Sequence, residues 1–278
     1  MSEYFPLDDR PFRLRMGLRP LDLADWLEID GDRDADLALK AMLVAERYQD
    51  VVAIVDDPGA RSAVDAACEE LLAEVAAHVS PTVEGAFHPI VAAGLSTQED
   101  WAVMLPVGGR LVLAAACVCF PTRWVLGTMI GKPMTGVHQH VAFYDEHLAR
   151  PVDAFFDRLN VDKPVWRLNW NLMDDPDLFQ PVAKHNSAVP NPAISATNVG
   201  ERVWLRVERQ TLRRLPDTGA IVFGIRIHQR PLAALLDHPE HLSTMRSAIV
   251  NLPEPTFAYK GIAAFAEALD QWLAVHAL

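Results

Sequence analysis

The stretch 203–229 constrains the fold most. Residues 203–211 and 220–229 each alternate as strands do, and Pro216-Asp217-Thr218-Gly219 between them supplies turn residues. Two such runs, so closely joined, form an antiparallel hairpin. Period-two spacing puts Val203, Leu205 and Val207 on one face of the first strand and Trp204, Arg206 and Glu208 on the other. In the second strand Phe223, Ile225 and Ile227 alternate with Gly224, Arg226 and His228. Matching like with like gives one apolar face and one polar face carrying Trp204, Arg206, Glu208, Arg226 and His228. That polar face is either a solvated exterior or a pocket wall, where arginines hold carboxylates and Glu208 holds a cation.

The rest of the chain adds helices around a second hairpin. Residues 37–55 read as a helix, and Asp57-Pro58 read as the cap and first turn of another that stops before Pro81. Residues 101–107 and 110–120 read as a hairpin turning at Gly108-Gly109. A short helix over 124–130, a loop over 133–142 and a helix over 144–159 follow. Residues 165–172 form a strand with Trp166, Leu168, Trp170 and Leu172 on one side and Arg167, Asn169 and Asn171 on the other. Helices are expected near 231–237, 240–251 and 261–277. The pattern is α+β. One domain over 1–278 is expected, with an N-terminal helical extension (about 1–80) and C-terminal helices (about 231–278). Residues 1–30, with Pro6, Pro11 and Pro20, read as a surface arm anchored by Trp26.

Composition narrows the function classes. The formal net charge of -12 disfavours nucleic acid and anionic membranes as partners. Half of the 278 residues are hydrophobic, enough for a sizeable core. The N-terminus has no apolar signal-peptide core, and the apolar run 111–120 is too short to span a bilayer, so a cytoplasmic location is expected. Three cysteines, Cys68, Cys117 and Cys119, cannot supply the four thiolates of an ordinary iron–sulfur cluster. There is no strand–GxGxxG–helix unit, P-loop, HExxH or GxSxG motif. Among ten histidines, His138 and His140 stand two apart in a loop, a spacing too loose to diagnose zinc.

Several segments together resemble the alpha-subunit family of haem-dependent oxidative N-demethylases. They are Cys119-Phe120-Pro121-Thr122-Arg123-Trp124, Ile130-Gly131-Lys132-Pro133 through Val137-His138, Arg150-Pro151-Val152-Asp153 to Phe156, and Trp166-Arg167-Leu168-Asn169-Trp170. Phe179-Gln180-Pro181, the run from Arg206 to Pro216 and Tyr259-Lys260-Gly261 complete the set, with a weaker match at Pro20-Leu21-Asp22. The run RVERQTLRRLP is the most specific. The resemblance implies a PAS-like antiparallel sheet wrapped by N-terminal and C-terminal helices and holding haem b. It implies O2-dependent demethylation of a small methylated amine such as dimethylamine. Electrons would come from NADPH through partner subunits carrying FMN and a 2Fe-2S cluster. It makes His138 the expected axial ligand of the iron, with His140, His185 and His228 as rivals. Arg206, Trp166 and Arg167 are expected beside the cofactor, and Glu208 and Arg226 in catalysis, Glu208 holding the ammonium group or relaying a proton. Two other readings stay open: a haem- or gas-binding PAS protein without catalysis, and a haem-free interaction subunit.

Overall fold

The computed structural model of the chain describes residues 4–82, 84–182 and 190–277. Its centre is a seven-stranded antiparallel sheet in the order β1-β5-β6-β7-β3-β4-β2. The strands are β1 (Arg19–Pro20), β2 (Val52–Ile54), β3 (Asp100–Val107), β4 (Arg110–Cys117), β5 (Val165–Met173), β6 (Trp204–Arg214) and β7 (Ile221–Pro231). Helices α1 (Arg33–Glu46), α2 (Tyr48–Val51), α3 (Arg61–Ala76) and α4 (Pro89–Ser96) precede β3. Helices α5 (Met134–Val137), α6 (Tyr144–His147) and α7 (Ala149–Arg158) lie between β4 and β5, and α8 (Val199–Arg202) precedes β6. Helices α9 (Pro239–Val250), α10 (Glu254–Tyr259) and α11 (Ala266–His276) follow β7. The architecture is α+β, as the alternation of patterns implied.

Both hairpins form. Gly108 and Gly109 take φ of 58° and 79°, the left-handed pair that a two-residue turn between twisted strands requires. At the other hairpin the Leu215 amide donates to the Ala220 carbonyl at 2.8 Å, and Gly219 bends back at φ 69°. Glu70 of α3 clasps this turn by accepting from the backbone N–H groups of Asp217 and Thr218.

Local expectations change where tertiary contacts intervene. The helix expected over 37–55 ends early: the β-branched residues Val52 and Ile54 leave it and pair with β4 as an edge strand. Asp57 does not cap α3 directly. Its carboxylate accepts from the Gly59 and Ala60 amides, in a turn ahead of the first helical residue. The helix expected over 124–130 shrinks to a 3-10 turn, Leu126–Thr128. The one expected over 144–159 divides at Leu148, because Pro151 has no N–H to continue the ladder from α6 into α7. The final strand pair ends in a 3-10 turn, and α10 is an additional helix.

One face of the sheet packs on α1, α3 and α4, with Trp101, Val103, Ala115 and Cys117 against Leu43, Val64, Leu71 and Ile90. The approach is close: a Cβ on Gly94 of α4 would lie 2.6 Å from the Cys117 sulfur. The opposite face presents Ala102, Met104, Leu113, Leu212 and Ile221 to Tyr144, Leu148, Val152 and Phe156 of the inserted helices. Among the described residues no helix is long and apolar enough to cross a membrane.

Candidate functional site

The inserted helices do not fill the space above this second face, and a cavity of about 390 Å³ remains. Its floor is the sheet, with Met104, Leu212, Phe223 and Ile225 as apolar lining and Arg167, Asn169, Asn171, Glu208 and Gln210 as polar lining. Its roof is the α5–α7 region, through Met134, His138, Tyr144 and Phe156. Residues 12–18 close one side. That segment was expected to be a surface arm. Phe12, Leu14, Met16 and Leu18 are half-buried while Arg13, Arg15 and Gly17 between them are exposed, so a period-two pattern was present in the sequence.

His138 follows the single turn of α5 and enters the cavity. Its Nδ1 lies 3.0 Å from the Met134 carbonyl. A carbonyl only accepts, so Nδ1 carries the proton and the neutral ring keeps its lone pair on Nε2. Nε2 has no hydrogen-bond partner among the described residues. The ring stacks on Tyr144, centroids 4.6 Å apart and planes 5° from parallel, which fixes its orientation. Burial pushes the His138 pKa down to about 4, outweighing the Met134 bond that favours protonation. The unfolded chain therefore takes up this proton at higher pH than the folded protein does. The contribution of His138 to stability is full above about pH 6.5 and is lost as pH falls toward about 4. The imidazole is expected to remain neutral at pH 5.5, checked by following denaturant stability across pH 7 to 4.

Glu208 faces the same cavity. Its Oε2 accepts from the Gln210 amide at 2.8 Å and the Asn169 amide at 3.3 Å, which orient the carboxylate. Arg167 lies in the same patch: β5–β6 register sets Arg167 opposite Gln210 and Asn169 opposite Glu208. Burial lowers the Arg167 pKa, and the Glu208 charge partly restores it. Arg167 has no ion pair or hydrogen bond from its side chain among the described residues, and its Nε is buried without a partner. The Tyr144 hydroxyl, Asn171 Oδ1 and Thr256 Oγ1, all on cavity-lining residues, are also buried without hydrogen-bond partners among the described residues.

Four other expected site residues are placed elsewhere. The connection of 215–220 between paired Arg214 and Ile221 holds an even number of residues, so even positions of β6 face odd positions of β7. Glu208 thus opposes Ile227, while Arg226 opposes Arg209 and His228 opposes Val207. The single polar face expected from sequence is divided between the two sides of the sheet. Arg226 is on the side away from the cavity, bound to Asp30 at 2.8 Å and Asp36 at 3.1 Å. His228 is there too, 2.8 Å from Glu28. Trp166 joins them, packed beneath the guanidinium groups of Arg19 and Arg209. Arg206 is on the cavity's side of the sheet, but it is fully buried and fully occupied. It donates to Thr122 Oγ1, Gln229 Oε1 and the carbonyls of Phe120, Asp177 and Leu178. It ties residues 120–122 to residues 177–178 and is not among the residues that line the cavity. Of the rival histidines, His140 is exposed at the cavity rim, and His185 lies outside the described residues.

A neutral imidazole with a free Nε2, fixed by a carbonyl through its other nitrogen, is the donor arrangement that iron or another borderline metal uses. Apolar walls with unsatisfied polar atoms suit a large, mostly apolar group that also carries charged substituents. The residues present therefore fit haem. Compared with known protein families, the chain matches, over residues 76–270, the one described as haem-dependent oxidative N-demethylase, alpha subunit-like. The matched span is well over half of the chain. It contains His138, Arg167 and Glu208 and leaves the 12–18 segment outside.

Proposed function

The chain belongs to the haem-dependent oxidative N-demethylase, alpha-subunit-like family, and on that premise we propose that it holds haem in the cavity and removes a methyl group oxidatively from a small amine. The observation that carries this reading is His138, with its Nδ1 proton committed to Met134 and its Nε2 lone pair unclaimed beside an apolar space. When bound, haem supplies the binding and activation of O2. His138 ligates the iron, and Tyr144 and the Met134 carbonyl keep the ring in one orientation. Met104, Met129, Phe156 and Phe223 exclude water from the reacting region. Arg13 and Arg15, exposed at the rim, suit the carboxylates of the cofactor.

Glu208 holds the protonated amine. Its carboxylate is fixed by Asn169 and Gln210. A secondary methylamine, O2, two electrons and two protons then give the demethylated amine, formaldehyde and water. The electrons come from a partner reductase subunit.

The first test is the absorption spectrum of protein reconstituted with haem, before and after dithionite and carbon monoxide. A stoichiometric Soret band that shifts on reduction and on CO binding is expected; well-folded protein without saturable haem binding would overturn the reading. Formaldehyde formation with methylated amines separates catalysis from simple gas binding. Glu208→Gln is expected to lower formaldehyde formation by about a hundredfold, the equivalent of ~3 kcal/mol, with the Soret band unchanged. Unaltered turnover in that variant would remove Glu208 from its role.

A further inference from the structure

The walls of the cavity are held with unequal strength. Continuous ladders join the floor strands β5, β6, β7 and β3. The roof helices bury Tyr144, Leu148, Val152 and Phe156 in the core beneath them. The side formed by residues 12–18 has neither support. Among the described residues, no backbone–backbone hydrogen bond joins residues 5–17 to the remainder of the protein. The segment is hung from its two ends instead. Arg19 and Pro20 pair with Trp166 and Val165 at the sheet edge, and the Leu21 N–H donates to the Pro164 carbonyl at 3.0 Å. At the other end the Tyr4 hydroxyl donates to Glu28, Phe5 stacks on His241 with centroids 4.0 Å apart, and Leu7 is buried.

Between these tethers, half-buried Phe12, Leu14, Met16 and Leu18 seat the segment, the last three against the core beneath the roof helices. Gly17 stands beside the second tether at φ 64°, and a Cβ there would meet nothing within 4 Å beyond its chain neighbours. Glycine moves between backbone regions closed to other residues, so the segment can turn at this point. Swinging it outward exposes partly buried side chains and breaks no ladder. Parting the roof from the floor exposes a fully buried cluster, which costs more. We infer that residues 8–18 are the lid of the cavity, opening on Gly17 and the two tethers to admit and release its ligand. Arg13 and Arg15, the proposed seats of the cofactor carboxylates, lie on this segment, so a bound cofactor latches it closed. That latch rests on the proposed use of the cavity for haem; the lid itself does not.

Kinetics separate a lid from a fixed wall. Losing a wall contact speeds ligand dissociation alone. Loosening a lid speeds association and dissociation together, because both scale with the open fraction. The test is stopped-flow mixing of the full-length protein with haem, and separately with anilinonaphthalene sulfonate, an anion that fluoresces in apolar surroundings. Leu14→Ser/Met16→Ser is expected to raise both rate constants by about tenfold for each probe, since it weakens the apolar seat. Met16→Ala, a milder change, should move both in the same direction, and Leu148→Ala on the roof should raise dissociation alone. Circular dichroism verifies that each variant is folded. Unchanged association in both strap variants overturns the lid. Faster association in Leu148→Ala alone also overturns it, by moving the entrance to the roof. Failure of the unaltered protein to bind haem overturns the broader proposal instead, and the rates with anilinonaphthalene sulfonate then decide the lid separately. A folded protein that takes up neither probe overturns both.

Discussion

His138→Ala is expected to abolish stoichiometric haem binding while leaving the fold intact. The side chain is half-buried, makes one hydrogen bond and stacks on one ring, so its removal costs little packing. The consequence for the metal is much larger. Outer-shell substitutions at metal sites cost about 10–100-fold, and removal of the only expected protein ligand should exceed that. The measurement is a haem titration followed at the Soret band, with circular dichroism to verify folding. Added imidazole should enter the space left by the side chain and restore part of the band. Full haem affinity in His138→Ala would transfer the ligand role to another residue, with His140 at the rim the first to examine. Tyr144→Leu should have a smaller effect of the same sign, since it removes the stacking partner and leaves the Met134 bond.

Lys40→Met is expected to destabilise the protein by about 3–5 kcal/mol, the cost of leaving a buried charge without its partner. Lys40 is fully buried, and its ammonium lies 3.0 Å from Asp100, which is equally inaccessible. Burial alone would lower the Lys40 pKa, but the Asp100 carboxylate together with Cys119 and Cys117 outweighs it and holds the pKa above the usual lysine value. Asp100 also accepts from the Cys119 and Phe120 amides at 3.0 and 2.7 Å, and Lys40 lies over the Phe120 ring. The pair therefore sets the path of the chain as it leaves β4 and enters the cavity wall, where both Asp100 and Phe120 are found. Equilibrium denaturation should show the loss, and the double variant Lys40→Met/Asp100→Asn should recover part of it because no unpaired charge remains. Equal stability of the single and double variants would mean that water or another group reaches Asp100.

Much of the architecture was legible because it rests on local patterns. Alternation marked β3, β4, β5, β6 and β7, and Gly108-Gly109 and Pro216-Asp217-Thr218-Gly219 marked the turns between them, each through backbone preferences that neighbours do not alter. The candidate site was legible in part. His138, Arg167 and Glu208 were singled out and do line one cavity. Arg206, Arg226 and Trp166 were singled out as well, and the structure commits them to buried carbonyls, an acidic pair and the far side of the sheet. Arginine in a strand has the same appearance in sequence whether it meets a ligand or the protein's own carbonyl groups.

The sequence by itself determined which residues alternate, where the chain turns and which side chains share a face within any one strand, because these follow from backbone geometry over a few residues. Only the tertiary structure decided how faces on different strands combine. A one-residue change of register moves every side chain of a strand to the other side, and the parity of the 215–220 connection separated Arg226 from Glu208 in this way. The same holds for the 12–18 segment, whose pattern was visible but whose role as a cavity wall depends on contacts with residues more than a hundred positions away. It holds also for His138, whose fixed orientation and lowered pKa come from the Met134 carbonyl, the Tyr144 ring and exclusion from water. Those are properties of packing, and no local reading of Val137-His138-Gln139 contains them.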